Sequence, residues 1–319
     1  MNPFLWLLSA IGGIALLALL TAFICFYKVF YSPKRKPLGE DEYEIPEGEI
    51  YEVFREDIIA WAKESRALPH EDVSITSFDG LTLRGKYYEH KKGAITELLF
   101  HGYQGNSERD LSGGIERCFA LGRNALIIDH RASGTSDGSV ITFGVREKKD
   151  VLSWIDFAIS HFGSDVKLVL TGVSMGAATV LMVAGEKLPE NVVCVLADCP
   201  YSSQKEIIKK VIRDMKLPDK LLYPFVKLGA RVFGRFNLEE DTPIEAMKRC
   251  SLPIIFIHGN TDAFVPDSMS DELYAACSSK LKKNVKIEGA GHGLAFPKNR
   301  ALYIKSLSDF EKEWNTNEN

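Results

Sequence analysis

One serine stands between two glycines in the motif G-V-S-M-G at residues 172–176. An apolar run at residues 166–170 precedes the motif, and a stretch of small residues at 177–186 follows it. A strand, then G-x-S-x-G, then a helix is the arrangement of a nucleophile elbow, whose sharp turn lifts the serine hydroxyl above a sheet. The glycines keep that turn free of clashes, and the helix start favours negative charge. The pattern alone also arises by chance. The predicted strand before it and the predicted helix after it therefore provide the main support for Ser174 as a nucleophile.

A serine hydroxyl needs a histidine to take its proton and a carboxylate to hold that histidine in the right tautomer. After an elbow, the acid and the histidine follow in the order Ser, Asp, His. Asp262 follows the predicted strand 254–257, and His292 follows the predicted strand 285–287 in a loop of small residues. Catalytic groups of open α/β sheets gather at the carboxyl ends of strands. We therefore predict a triad of Ser174, Asp262 and His292.

Asp198 is an alternative acid, because it also follows a predicted strand, residues 192–197. We favour Asp262 for its position relative to His292.

Two backbone N–H groups must also face the negative charge that develops during acyl transfer. Met175, directly after the serine, supplies one, and Tyr103, in the loop after the predicted strand 95–100, supplies the other. His101 and His258 begin glycine turns directly after strands, and we expect them to support loop geometry.

Short apolar segments alternate with helical ones after residue 71. The predicted strands lie at residues 73–76, 81–88, 95–100, 125–129, 166–170, 192–197, 254–257 and 285–287. An antiparallel start followed by β-α alternation predicts an α/β fold with a mostly parallel sheet covered on both faces. Residues 201–250 contain no convincing strand, so we predict a helical lid over the carboxyl edge of the sheet; an elongated crossover is the alternative.

The N-terminal residues 1–27 carry no charged side chain, and about 20 residues suffice to cross a bilayer. The segment lacks the basic start and small-residue cleavage site of a signal peptide, which favours an uncleaved anchor. The basic residues nearest to this segment all follow it; they are Lys28, Lys34, Arg35 and Lys36. The positive-inside rule then places the catalytic domain in the cytoplasm.

The 319 residues, 45% of them hydrophobic, fit one large α/β domain with additional segments. A net charge of −4 with mixed signs argues against a nucleic-acid partner. The six cysteines show neither metal-ligand spacing nor a disulfide framework, which favours a reducing compartment.

Five motifs in order resemble the α/β-hydrolase superfamily. They are the His-Gly loop at 101–106, D-H-R-x-x-G-x-S at 129–136, the elbow at 172–176, H-G-x-x-D at 258–262 and Gly-His at 291–292. The chain is most similar to the serine aminopeptidase/monoacylglycerol-lipase-like branch, in particular to its single-span anchored hydrolases, over residues 71–315. The resemblance implies an eight-stranded sheet with a variable lid after the sixth strand, in agreement with residues 201–250. Ala132 and Ser133 depart from it, since relatives often carry a glycine after the arginine.

These observations predict a membrane-anchored serine hydrolase with a small-molecule acyl substrate and no metal or organic cofactor. Carboxylesterase activity (EC 3.1.1) is favoured; a peptidase (EC 3.4), a thioesterase or a lipase would use the same triad, and a non-catalytic binding protein is a further alternative. The predicted division is an anchor (1–31), a linker and amphipathic helix (32–70), a core in two parts (71–200 and 251–319) and the lid (201–250). A form starting near Asp41 is expected to be soluble and active.

Overall fold

The computed structural model describes residues 3–34 and 38–317. The strands in this part of the chain are β1 (Glu71–Thr76), β2 (Thr82–Tyr88), β3 (Thr96–Phe100), β4 (Asn124–Ile128), β5 (Leu168–Val173), β6 (Val192–Asp198), β7 (Ile254–Gly259) and β8 (Lys282–Ile287). The helices are α1 (Pro3–Val29), α2 (Glu49–Glu52), α3 (Arg55–Ala67), α4 (Ser107–Ala120), α5 (Glu147–Phe162), α6 (Met175–Ala184), α7 (Gln204–Asp214), α8 (Asp219–Val232), α9 (Pro243–Met247), α10 (Ser268–Ala276), α11 (Ala295–Lys298) and α12 (Arg300–Asn317).

The eight strands form one sheet in the order β1-β2-β4-β3-β5-β6-β7-β8. β2 pairs antiparallel with β1 and β4, and all other neighbours are parallel. The predicted α/β-hydrolase fold with a mostly parallel eight-stranded sheet is thus confirmed. The carboxyl ends of β3, β5, β6, β7 and β8 meet at one edge, so the loops that follow them share that edge.

The strand boundaries differ from the sequence prediction by up to three residues, and one predicted helix is divided. β8 begins at Lys282 rather than at residue 285, because this edge strand is only partly buried and its lysines hide the apolar pattern. The predicted helix over residues 50–68 is two helices, α2 and α3, with a turn at Val53 and Phe54 between them.

The centre of the fold is apolar on both faces of the sheet. Every residue of β6 and of β7 is buried, as is every residue of α6. A helix that is buried all round needs apolar residues on every side, which explains the run of small and branched residues after the serine motif. Helix α6 is therefore held rigidly behind that serine.

Helices α7, α8 and α9 occupy the segment predicted as the lid. Ile207 and Ile208 of α7 and Val226 of α8 are buried in an apolar cluster that also contains Met175, the residue after the serine. The segment is helical, as predicted, and packs beside the predicted nucleophile.

Helix α1 is long and apolar enough to cross a membrane, with a mean hydropathy of 2.4 over its most apolar stretch. Almost all of residues 3–21 are exposed, whereas Ala22 and Phe30 are fully buried. The buried end packs on α8 so closely that a Cβ built on Gly229 would lie 2.4 Å from the carbonyl oxygen of Ala22. One helix thus has two parts, an exposed apolar part and a part built into the domain.

A buried carboxylate links the two central strands. Glu97 of β3 is fully buried, forms ion pairs with Arg117 of α4 and Arg123, and accepts a 2.6 Å hydrogen bond from Thr171 of β5. Arg123 also bonds to Glu311 of α12 at 2.6 Å. Burial alone would raise the pKa of Glu97, but the two guanidinium groups outweigh burial and lower it. The carboxylate therefore ties β3 and β5 to the helices on one face of the sheet.

Replacing Glu97 by Gln removes the buried counter-ion of Arg117 and leaves Arg123 with Glu311 alone, and breaking a buried ion pair in this way typically costs about 3–5 kcal/mol. We expect a loss of this size in the free energy of unfolding of the detergent-solubilised chain. Because the pKa of Glu97 is lowered on folding, its contribution is present above the unfolded pKa of about 4.3 and is lost as the pH falls further. The difference between wild type and Glu97→Gln should therefore shrink in acid.

The control is Glu245→Gln, which removes an exposed ion pair with Lys248. It should change stability by less than about 1 kcal/mol. Equal losses in the two variants would contradict a structural role for the buried cluster.

Candidate active site

Ser174 lies on the predicted sharp turn, directly between β5 and α6. Its φ of 54° and ψ of −113° are strained for a residue with a side chain, as the serine of an elbow requires. A Cβ on Gly172 would lie 2.1 Å from the carbonyl carbon of Gly176, and one on Gly176 would lie 2.1 Å from the carbonyl oxygen of Phe100. No side chain fits in either place, so both glycines are required for the turn.

The structure brings the three predicted triad residues together. Nε2 of His292 lies 2.9 Å from Oγ of Ser174, and Nδ1 of His292 lies 2.7 Å from Oδ2 of Asp262. A carboxylate only accepts hydrogen bonds, so Nδ1 carries the proton and Nε2 is free to accept one from the serine hydroxyl. This is the tautomer that general-base catalysis needs.

Four hydrogen bonds hold the carboxylate of Asp262, whose side chain is fully buried. Its Oδ1 accepts from the backbone N–H groups of Phe264 at 2.9 Å and Val265 at 2.8 Å. Its Oδ2 accepts from His292 and from Nε2 of His258 at 3.2 Å. Burial alone would raise the pKa of Asp262, but the hydrogen bonds from the two histidines hold it well below its usual range. The acid therefore stays ionised beside His292.

Asp198, the alternative acid, is directed elsewhere. Its Oδ2 accepts a 2.8 Å hydrogen bond from the hydroxyl of Tyr303, and burial raises its pKa. Its backbone carbonyl accepts from the N–H of Ser174 at 2.8 Å. The structure thus gives Asp198 a contact with the elbow backbone, while the hydrogen bond of His292 goes to Asp262.

The two predicted oxyanion donors lie on loops beside Ser174. A Cβ built on Gly102 would lie 3.5 Å from that of Ser174, so the loop before Tyr103 passes directly over the serine. In the described part of the chain, the N–H groups of Tyr103 and Met175 have no hydrogen-bond acceptor. Both are therefore free to bind a negative oxygen.

Side chains behind the loop hold its shape. His101 accepts the backbone N–H of His130 on Nε2 at 3.0 Å, so its Nδ1 carries the proton and donates to the carbonyl of Gly102 at 2.7 Å. Asp110 of α4 accepts the N–H of Gly102 at 3.1 Å. The role predicted for His101 in loop geometry agrees with these contacts.

A cavity of about 550 Å³ opens at Ser174 and His292. Apolar side chains form much of its wall, including Ile45, Ile58, Trp61, Leu111 and Phe296. Residues 44–47 and Tyr51 belong to the segment predicted only as a linker and helix, yet they line this cavity. The apolar pair at residues 45–46 within an acidic stretch is the one sequence signal for this role.

Two further residues near the triad make contacts that were not predicted from the sequence. Cys199 is buried, and its Sγ lies within 4.8 Å of a carboxylate oxygen of Asp262 and of a ring nitrogen of His292. Burial raises the pKa of its thiol. It therefore remains a neutral neighbour. His258 was expected only to support a turn, and it also hydrogen-bonds the acid of the triad.

Comparisons with known proteins show similarity to a serine hydrolase family and to the structure of an esterase. Residues 171–300, which contain the three triad residues, match the family described as Serine hydrolase (FSH1). The chain is 29% identical to the uncharacterised protein YqkD of Bacillus subtilis, over 74% of this chain and 77% of that one. It is 27% identical to the protein bem46 of Schizosaccharomyces pombe, over 68% of each chain. Among solved structures, it is similar to the Pyrococcus furiosus esterase Pf2001, with a TM-score of 0.64, 22% identity and coverage of 79% of this chain and 93% of that chain.

The hydrogen bonds separate the two candidate acids. Asp262→Asn removes the ionised acceptor that fixes the histidine tautomer, and we expect a loss of about 10⁴-fold in kcat. Asp198→Asn keeps an oxygen that accepts the Tyr303 hydroxyl, so we expect turnover within about tenfold of wild type. Ester hydrolysis by the two purified variants, with matched thermal stability, tests this assignment. A larger loss in Asp198→Asn would reassign the acid.

Proposed function

Because this chain belongs to the α/β-hydrolase superfamily, and its serine hydrolase match supports a hydrolytic function, we propose that it cleaves carboxylic esters through an acyl-enzyme on Ser174. The observation that carries this proposal is the hydrogen-bonded chain from Ser174 through His292 to Asp262. It supplies a nucleophile, a base and an orienting acid in the required tautomer.

In the first half-reaction, Oγ of Ser174 attacks the ester carbonyl carbon while Nε2 of His292 takes the hydroxyl proton. The carbonyl oxygen becomes negative and lies at the N–H groups of Tyr103 and Met175. As the tetrahedral intermediate collapses, His292 gives its proton to the leaving alkoxide. The alcohol departs and the acyl group stays on Ser174.

In the second half-reaction, water takes the place of the serine hydroxyl. His292 removes a proton from the water, whose oxygen attacks the acyl carbon, and the same N–H groups hold the new oxyanion. The proton then returns to Oγ of Ser174 and the carboxylic acid leaves. Asp262 remains ionised throughout and stabilises the imidazolium formed in each step.

The apolar wall of the cavity favours binding of an aliphatic or aromatic acyl group of the substrate. Ile45, Trp61, Leu111 and Phe296 offer apolar surface, and burying a methylene contributes about 0.8 kcal/mol. Lengthening the acyl chain should therefore raise kcat/KM until the cavity is full. Esters of graded chain length, with aminoacyl amides beside them, identify the preferred substrate class.

Replacing Ser174 by Ala removes the nucleophile, and we expect ester turnover to fall by at least about 10³-fold. His292→Ala should cost a similar factor, and the double variant hardly more, because the residues act as a unit. A fluorophosphonate probe should label wild type and the control Ser160→Ala, whose serine lies exposed on α5, but not Ser174→Ala.

Continued labelling of Ser174→Ala would place the nucleophile at another serine. A wild-type chain that neither reacts with the probe nor turns over esters, thioesters or amides would favour the non-catalytic binding function. Turnover of amides without esters would favour a peptidase.

We also propose that α1 remains attached and anchors the domain in a membrane, with the domain on the cytoplasmic side. The exposed residues 3–21 reach about 28 Å at 1.5 Å per residue, close to the thickness of the hydrocarbon core. Cleavage beyond Phe30 would remove Ala22 and Phe30 from the domain interior, which supports retention of the helix. Lys28 and Lys34 follow the span on the domain side, and Arg35 and Lys36 of the same basic cluster lie outside the described residues.

The full-length chain should stay in the membrane fraction after a carbonate wash, because apolar burial rather than charge holds it there. Protease added to intact cells should leave the domain whole, and the same protease should digest it after lysis. Release of a shortened chain would identify a cleaved signal peptide, and digestion in intact cells would reverse the orientation.

A further inference from the structure

The last carbonyl of α1 has an unusual partner. As the last carbonyl of the helix, the Val29 oxygen has no intrahelical N–H to accept, and the residue four positions later is Pro33, which has no N–H. Instead, the hydroxyl of Tyr103 donates to the Val29 oxygen at 2.8 Å. The end of the proposed membrane helix is thus bonded directly to the loop that carries a predicted oxyanion donor.

The residues around this bond are held firmly in the domain. Phe30 is fully buried, with ring centroids 5.8 Å from Phe143 and 5.2 Å from Phe236. The carbonyl of Phe30 accepts the N–H of Ile141 at 2.8 Å, and the hydroxyl of Ser32 donates to the carbonyl of Ala132 at 2.9 Å. The acceptor at Val29 therefore has a defined position relative to the sheet.

Tyr103 is fixed from several sides. Its ring lies 5.0 Å from that of Phe143, and its hydroxyl accepts a 3.1 Å hydrogen bond from Nε2 of Gln104. Burial raises the pKa of Tyr103 to about 12, so the hydroxyl remains a protonated donor at neutral pH. The Val29 oxygen is the acceptor for that proton.

We infer that the Val29 carbonyl at the end of α1 positions the active site, because it holds the Tyr103 side chain and thereby orients the Tyr103 N–H toward the oxyanion. The inference rests on the proposed esterase function. Tyr103 then contributes its side chain as well as its backbone N–H, and the anchor helix contributes to the geometry of the active site. A chain starting near Asp41, expected from sequence to be active, lacks this contact.

The decisive variant is Tyr103→Phe in the full-length, detergent-solubilised chain. It removes only the hydroxyl and keeps the ring and the backbone N–H. Because a displacement of about 1 Å in an active site can cost about 10²-fold, we expect kcat to fall 10- to 100-fold with KM nearly unchanged. A boronate inhibitor, which mimics the tetrahedral oxyanion, should lose affinity by a similar factor.

The matched control is Tyr27→Phe. Tyr27 lies on α1, is exposed, and stacks its ring on that of Tyr31. It should keep wild-type kcat and boronate affinity. Thermal unfolding and titration of active sites in both variants separate a positioning effect from a loss of folded enzyme. A loss of folded enzyme lowers the apparent kcat but leaves the boronate affinity of the remaining folded enzyme unchanged.

A second variant displaces the helix without touching the loop. Gly229→Ala places a methyl group against the Ala22 carbonyl, where a Cβ has only 2.4 Å, while Gly12→Ala meets nothing within 4 Å and is its control. Gly229→Ala should lower kcat, and combining it with Tyr103→Phe should lower kcat no further, because both act through one contact.

Two results would overturn the inference while leaving the esterase proposal intact. One is wild-type kcat and boronate affinity in Tyr103→Phe. The other is a double variant whose loss is the product of the two single losses. A wild-type chain without acyl-transfer activity would instead overturn the proposed function itself, so the two failures are distinguishable.

Discussion

The close approach of helix α6 to the ends of β3 and β5 is the constraint on which the rest of the site depends. At Gly172 and Gly176 the backbones come so near that no Cβ fits, and Ser174 between them takes a strained conformation. The fully buried helix α6 and the carboxylate of Glu97, which links β3 to β5, hold the strained turn in place. Strain of this kind persists only where its surroundings are rigid.

Electrostatics at the site depend on one fully buried carboxylate. Asp262 would lose its charge in an apolar environment, but two backbone N–H groups and two histidines stabilise the ionised form. The same hydrogen bonds select the proton position on His292. Burial of Asp198 has the opposite effect, because its carboxylate has the Tyr303 hydroxyl but no nearby cationic partner that outweighs desolvation. Two aspartates at the ends of strands thus differ in role because their hydrogen-bond partners differ.

Helix α1 connects the proposed membrane span to the catalytic domain without a flexible joint. Its exposed apolar part ends where Ala22 becomes buried against α8, and eight residues later Phe30 is fully enclosed. Helix α8 therefore lies close to the inner end of the proposed span.

Local patterns in the sequence determined the fold and most of the triad. The serine motif, the alternation of apolar strands with helices, and the order of Asp262 and His292 are short-range signals, and each predicted strand is present. Ala132, where proteins of the resembled family often carry a glycine, has a φ of 59° in the left-handed region. Only the tertiary structure decided which aspartate meets His292, that residues 44–47 and Tyr51 line the cavity, and that Val29 meets Tyr103. These contacts join residues far apart in the chain: Val29 and Tyr103 are separated by 74 positions, and no local periodicity encodes such a pairing. They follow from where the packed elements bring the side chains.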